Sequence, residues 1–185
     1  IFSLCVCGPS PKSSLAKRLA GLPYDPKEPE THGIQIQKME FSGQKGPTLA
    51  RVWDFGGQVV LHSMHQFFLT ERSIYVLVLG ERDDLLERDL IYWLQMIQSF
   101  AGKAPIVVAL NKSAGRKRVF DQNTLEKDFG EIVGWVSTEC STECQIVAGI
   151  EKLTQLISKA IDSQKMESVR RKFPKKWWQV KHQLE

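Results

Sequence analysis

The stretch Arg51-Val52-Trp53-Asp54-Phe55-Gly56-Gly57-Gln58 continues an apolar run that begins at Leu49. A short apolar run of this kind reads as a buried strand. It closes on an acidic residue and two glycines, which let the backbone turn sharply. An Asp where a buried strand ends is placed to hold Mg²⁺ through its water shell beneath a phosphate, and a Gly just beyond it offers a backbone N–H to the same anion. Taken alone, D-x-G-G-Q also fits a strand with a solvated Asp and a tight turn, so the flanking chain decides.

Upstream, Ile1 to Cys7 is a second apolar run, short enough for a central parallel strand. Gly8-Pro9-Ser10-Pro11 breaks it, and Lys12-Ser13-Ser14 opens a segment with Leu15, Ala16, Leu19 and Ala20 on one helical face. Strand, glycine turn, Lys-Ser and helix is the layout of a phosphate-binding loop. Backbone N–H groups and a helix N-terminus face the anion, the Lys reaches the outer phosphates and the Ser binds Mg²⁺. The spacing departs from the pattern GxxxxGK[ST], because only Pro9, Ser10 and Pro11 separate Gly8 from Lys12. Two readings stay open: a degenerate site, or residues missing between Pro11 and Lys12. The helix register of Lys-Ser-Ser-Leu favours the second.

Hydrophobic residues make up 42% of the 185, enough for a real core in one domain of ordinary size. No apolar stretch approaches the roughly 18 to 20 residues a membrane span needs, and no signal peptide is visible. Cys5, Cys7, Cys140 and Cys144 lie in two close pairs with no His beside them, which reads as reduced packing thiols and a cytoplasmic setting. The net charge of +4 belongs to the tail: seven Lys or Arg and two Glu follow position 164, and the rest sums to −1. The globular part is therefore not a nucleic-acid surface by charge.

Between these landmarks the pattern alternates. Gly21 to Glu30 carries Pro23, Pro26 and Pro29 and reads as a loop. Thr31-His32-Gly33 opens an alternating edge strand to Phe41, Ser42 to Pro47 turns, and Leu49 to Asp54 returns as its antiparallel partner. Val59 to Leu69 reads as a short irregular helix whose His62 and His65 lack partners at metal spacing. Ser73 to Leu79 and Pro105 to Leu110 are further buried strands, Asp83 to Phe100 a long amphipathic helix, Thr124 to Phe129 a short one, Ile132 to Val136 a last strand and Ile150 to Ile161 a last helix. Asn111-Lys112 stands at a strand's C-terminal end, where open α/β sheets bind ligands. The whole predicts an α/β fold: a mostly parallel sheet with one antiparallel edge strand and helices on both faces.

In sequence and in order, Lys12-Ser13, Thr31-His32-Gly33, Trp53 to Gln58, His65-Gln66-Phe67-Phe68 and Asn111-Lys112 resemble the Ras-like GTPase (Roc) domain of Roco proteins. The resemblance covers about residues 1–163. It implies a Ras-like P-loop GTPase fold with six strands, and residues 164–185, with Trp177-Trp178, look like a linker and the opening of the COR domain. It implies further that Gly8, Lys12, Ser13, Ser14, Thr31, Gly57, Asn111, Lys112 and Ser137 bind the nucleotide. Ser13, Thr31 and Asp54 would hold Mg²⁺, and Gln58 with Lys12 would serve catalysis. Val59 replaces an acidic residue of the Ras pattern, Ala114 stands where the base-reading Asp of NKxD is expected, and Glu139 replaces the Lys of a Ser-x-Lys loop beginning at Ser137. The function implied is a GTP/GDP switch with Mg²⁺ that hydrolyses GTP slowly and regulates neighbouring COR and repeat domains in a homodimer. The alternatives are a nucleotide-free scaffold and an ATP-using P-loop enzyme.

Overall fold

The computed structural model describes residues 2–8, 12–25, 27, 31, 33–44, 46–55, 69–80, 86–111, 121–140 and 147–163. Strands β1 (Phe2–Cys7), β2 (Ile34–Gly43), β3 (Gly46–Phe55), β4 (Ser73–Gly80), β5 (Ile106–Asn111) and β6 (Ile132–Thr138) form one six-stranded sheet in the order β2-β3-β1-β4-β5-β6. The β2–β3 pair is antiparallel and the other pairs are parallel. Helices α1 (Ser13–Leu19), α2 (Leu86–Ala101), α3 (Gln122–Asp128) and α4 (Val147–Asp162) complete the described elements.

Side-chain alternation along each strand sorts the core into two layers. On one face Leu4, Val6, Val52, Val76, Val78, Val107, Ala109 and Val136 pack against Leu15 and Ala16 of α1 and Leu153, Ile157 and Ala160 of α4. On the other, Cys5, Cys7, Phe55, Tyr75, Leu77, Ile106 and Val108 pack against Leu90, Trp93, Leu94 and Ile97 of α2 and Leu125 of α3. Central β4 is buried from Ser73 to Leu79, which is why Ser-Ile-Tyr-Val-Leu-Val-Leu shows no polar alternation. Edge strand β2 is one-sided: Met39 and Phe41 are buried, whereas Ile36 is exposed.

The element boundaries differ from the sequence reading in ways that pairing and capping explain. β6 runs to Thr138 because Asn111 pairs with Thr138 at the end of β5. α3 starts earlier than Thr124 because Asp121 is its N-cap, its carboxylate accepting from the Thr124 N–H at 3.1 Å. α4 begins at Val147 rather than Ile150. The expected helix between Val59 and Leu69, with His62 and His65, falls almost wholly outside the described residues, as does the tail after Ser163. The expectation of residues missing between Pro11 and Lys12 falls on a junction whose first residue, Pro11, lies outside the described residues, as do Ser113 and Ala114.

Going outward from β1, β3 lies on one side and β4 on the other, and open α/β sheets bind ligands at the C-terminal ends of strands beside such a point. The register aligns that rim: Val6 pairs with Asp54, Gly80 with Asn111, and Asn111 with Thr138.

Candidate functional site

The rim residues share one face of the sheet. Asp54 follows Val52 at an interval of two and so lies on the α1 side, while Trp53 and Phe55 belong to the α2 side, where their rings stack with centroids 6.5 Å apart. Asn111 follows Ala109, and Thr138 follows Val136, onto that same α1 side. Asp54, Asn111 and Thr138 are all buried polar residues, at 3%, 1% and 1% exposure. Polar groups so enclosed at a strand end serve pairing or ligand binding.

Gly8 makes the turn out of β1. Its φ is +118°, and a Cβ built on it would lie 2.2 Å from the backbone oxygen of Val78 in β4. Only glycine fits so close to the neighbouring strand. Lys12 is the N-cap of α1, and its carbonyl accepts from the Ala16 N–H at 2.9 Å. The Lys12 ammonium curls back over the turn and donates to the Gly8 carbonyl oxygen at 3.0 Å.

Lys12 is 5% exposed. Burial pushes its pKa below the ordinary 10.5, opposed by the nearby Asp54 carboxylate and the Cys7 thiol. The Asp54 charge therefore acts on Lys12, which joins the end of β3 to the start of α1. A buried ammonium here is stabilised by further negative charge.

Ser13, the first residue of α1, lies with its Oγ 2.6 Å from Oγ1 of Thr31, so a residue three positions ahead of β2 is tied to the start of the helix. Thr31 is buried, and Ser13 and Ser14 are half-buried. Two hydroxyls and a buried carboxylate are hard oxygen donors, the set that suits Mg²⁺, so the residues present fit that ion. Among the described residues no group of three or more His, Cys, Asp or Glu forms a metal cluster.

At the other end of the rim, Asn111 Oδ1 accepts from the Thr138 hydroxyl at 3.3 Å and from the Cys140 thiol at 3.5 Å. Sequence reading named Asn111 but not these two partners. Their signal was the strand pairing, which no local motif carries. Ser137, expected in a base-contacting loop, sits inside β6 and is exposed, opposite Leu110. Gly57, Gln58 and Lys112 lie outside the described residues.

Residues 4–114 match the family model described as "Ras of Complex, Roc, domain of DAPkinase". The chain belongs to the Roc family. The Dictyostelium discoideum protein named "Probable serine/threonine-protein kinase roco5" is 38% identical over 89 residues, which is 46% of this Roc chain and 3% of the kinase. Human Rab-like protein 2B is 24% identical over 118 residues, 64% of this chain and 49% of that protein. The solved RocCORdC structure of Methanosarcina barkeri Roco2, bound to GDP, superposes with a TM-score of 0.81 at 35% identity, covering 100% of this chain and 55% of that one. This is the Ras-like P-loop GTPase fold, and the Roc domain here spans a small part of the Roco kinase it matches.

Proposed function

We propose that this Roc domain is a guanine-nucleotide switch that binds GTP and GDP with Mg²⁺ and hydrolyses GTP slowly. The observation that carries the reading is the convergence of Gly8, Lys12, Ser13, Thr31 and Asp54 on the α1 side of one rim, with the Ser13 and Thr31 hydroxyls 2.6 Å apart. The GDP-bound Roco2 structure at 35% identity supports the choice of ligand.

In this reading the Lys12 ammonium turns from the Gly8 carbonyl to the outer phosphates. Thr31 and Ser13, with Asp54 through water, hold the metal. Bound Mg²⁺ would neutralise charge on the phosphate oxygens. Asn111 and Lys112 face the base, Gly57 senses the terminal phosphate, and Gln58 orients water. Because Thr31 contacts Ser13 and stands three residues before β2 begins at Ile34, loss of the terminal phosphate would loosen the segment leading into that strand. We assign residues 1–163 to the Roc unit and 164–185 to the linker and opening of a COR domain. The switch would then regulate COR and repeat domains within a homodimer of a larger cytoplasmic protein.

The test is titration of the 185-residue chain with GDP and GTP, with Mg²⁺ and with a chelator. Lys12→Ala should abolish nucleotide binding while leaving the circular dichroism spectrum intact, and Asp54→Asn should erase most of the Mg²⁺ dependence. GDP affinity unchanged in Lys12→Ala sinks the site assignment. A second reading, a scaffold that keeps the fold without nucleotide, is favoured by the short sequence spacing between Gly8 and Lys12. A wild-type chain that binds neither nucleotide would establish it, and ATP outcompeting GTP would point instead to the consequence of Ala114.

A further inference from the structure

A groove of about 660 Å³ lies at the end of the sheet away from the rim, between the last turns of α4 and the end of β2. Ser42 and Gln44 stand on one wall and Thr154, Ser158, Asp162 and Ser163 on the other. Each carries a hydroxyl, an amide or a carboxylate, whereas a small-molecule pocket is lined mostly by hydrophobic side chains. The walls are held together at one point. The Asp162 carboxylate accepts from the Gln44 N–H at 2.8 Å, and a Cβ built on Gly43 would lie 2.9 Å from the same carboxylate. At Ser163, which itself lines the groove, the backbone bends out of the helix. Its N–H closes on the Ala160 carbonyl at 3.2 Å and its hydroxyl donates to the same oxygen at 2.7 Å, the tightened turn that ends an α-helix. The chain thus leaves α4 from within the groove lining.

We propose that the groove holds the outgoing chain itself, with Gln164-Lys165-Met166-Glu167-Ser168 running back along α4 from Ser163 toward Thr154. The lengths agree. From Thr154 to Asp162 a helix rises about 12 Å, and an extended chain covers that distance in about four residues. The chemistry agrees as well: a peptide brings a donor and an acceptor at each residue, which hydroxyls, amides and a carboxylate meet. β2 is the edge strand of the sheet, and a segment laid here covers the end of that edge. The chain that follows this domain is then held against the strand whose other end starts at the rim. The inference is independent of what the rim binds.

Limited trypsin digestion of the folded 185-residue chain tests this, each cut being read by mass spectrometry. Lys165 lies in the proposed occupant, and Arg171 lies beyond it and serves as the internal reference. Q155W and S42W place an indole in the groove from opposite walls, both at exposed positions. A segment held by a few hydrogen bonds is cut only when it opens. In either variant the rate of cutting after Lys165, relative to that after Arg171, should therefore rise about tenfold above wild type. Thermal melts show which variants fold, and either one that folds decides the matter. An unchanged ratio in a folded variant overturns the proposal, since mere nearness to the domain would protect Lys165 in wild type and variant alike. The wild-type chain tests it alone should neither variant fold: cutting after Lys165 as fast as after Arg171 overturns it. A wild-type ratio that rises on about tenfold dilution assigns the groove to the tail of a second copy and overturns it as well.

Discussion

Gly8→Ala tests whether the turn out of β1 is built as described. Two costs arise at once. The backbone at φ +118° is a conformation L side chains rarely adopt, which costs about 1–3 kcal/mol. The new methyl also starts 2.2 Å from the Val78 oxygen and 3.0 Å from the Val78 carbon and nitrogen. These are backbone atoms of central strand β4, where Val78 is paired with Ala109 of β5 and fully buried, so they cannot swing aside as a side chain would. Overpacking of that kind costs about 1–3 kcal/mol more.

The combined cost of about 2–6 kcal/mol is set against a total stability of about 5–15 kcal/mol. For a domain of this size each kcal/mol lowers Tm by about 2–4 °C, so Gly8→Ala should melt about 10 °C below wild type. Gly21→Ala is the control. Gly21 has φ +75° but nothing within 4 Å of an added Cβ, so it bears the backbone cost of about 1–2 kcal/mol without the clash. Calorimetry on the three chains reads the difference directly. A Gly8→Ala melt within about 3 °C of wild type, or no lower than that of Gly21→Ala, refutes the close approach of the turn to β4. Because the Gly8 carbonyl accepts from Lys12 Nζ, the same variant should also lose phosphate affinity at temperatures where it is still folded.

Alkaline pH should destabilise the fold. Burial pushes Cys5 up to about 12 from an ordinary 9.0, and raises Cys7 and Tyr75 as well. Above about pH 9 the unfolded chain releases thiol protons that the folded one keeps, so stability declines by about 1.4 kcal/mol per pH unit for each thiol. Lys12, lowered from 10.5 by burial, has the opposite sign: in the window below 10.5 its contribution to stability grows with pH and works against the thiols. Urea melts of wild type and C5A/C7A between about pH 8 and 10 should show a shallower decline in the variant, and equal slopes would count against the assignment. Asp162→Ala should cost about 0.5–1.5 kcal/mol, since its carboxylate accepts from the Gln44 N–H at 2.8 Å and so ties the end of α4 to the β2–β3 turn. Faster amide exchange at Gln44 checks this, and unaltered protection would exclude the contact as a restraint.

The fold was legible because buried parallel strands are written as uninterrupted apolar runs: β1, β4 and β5 were placed within a residue or two from composition alone. Boundaries set by something other than hydrophobicity were not. Thr138 looks like a loop residue, and only its pairing with Asn111 makes it the end of a strand. Asp121 extends α3 toward the N-terminus through a hydrogen bond of its side chain. At the candidate site, Lys12, Ser13 and Asp54 were named from their chemistry and Thr31 from the order of the motifs. Thr138 and Cys140 stayed hidden because they act on Asn111 from 27 and 29 residues away.

The arrangement of the rim follows from the period of a single strand. In Trp53-Asp54-Phe55 the two rings go into the α2 layer and the carboxylate faces the α1 layer, where Lys12 lies. A shift of one residue in β3 would reverse all three, placing a carboxylate among Leu90, Trp93 and Leu94 and two aromatic rings against α1. Neither layer tolerates that exchange: the first offers an ionised group no partner, and the second would receive two large rings beside Leu15 and Ala16. The aromatic residues on either side of Asp54 thus fix its register. That register, set by the packing of β3 between two apolar layers, is what delivers the carboxylate to the lysine side of the sheet.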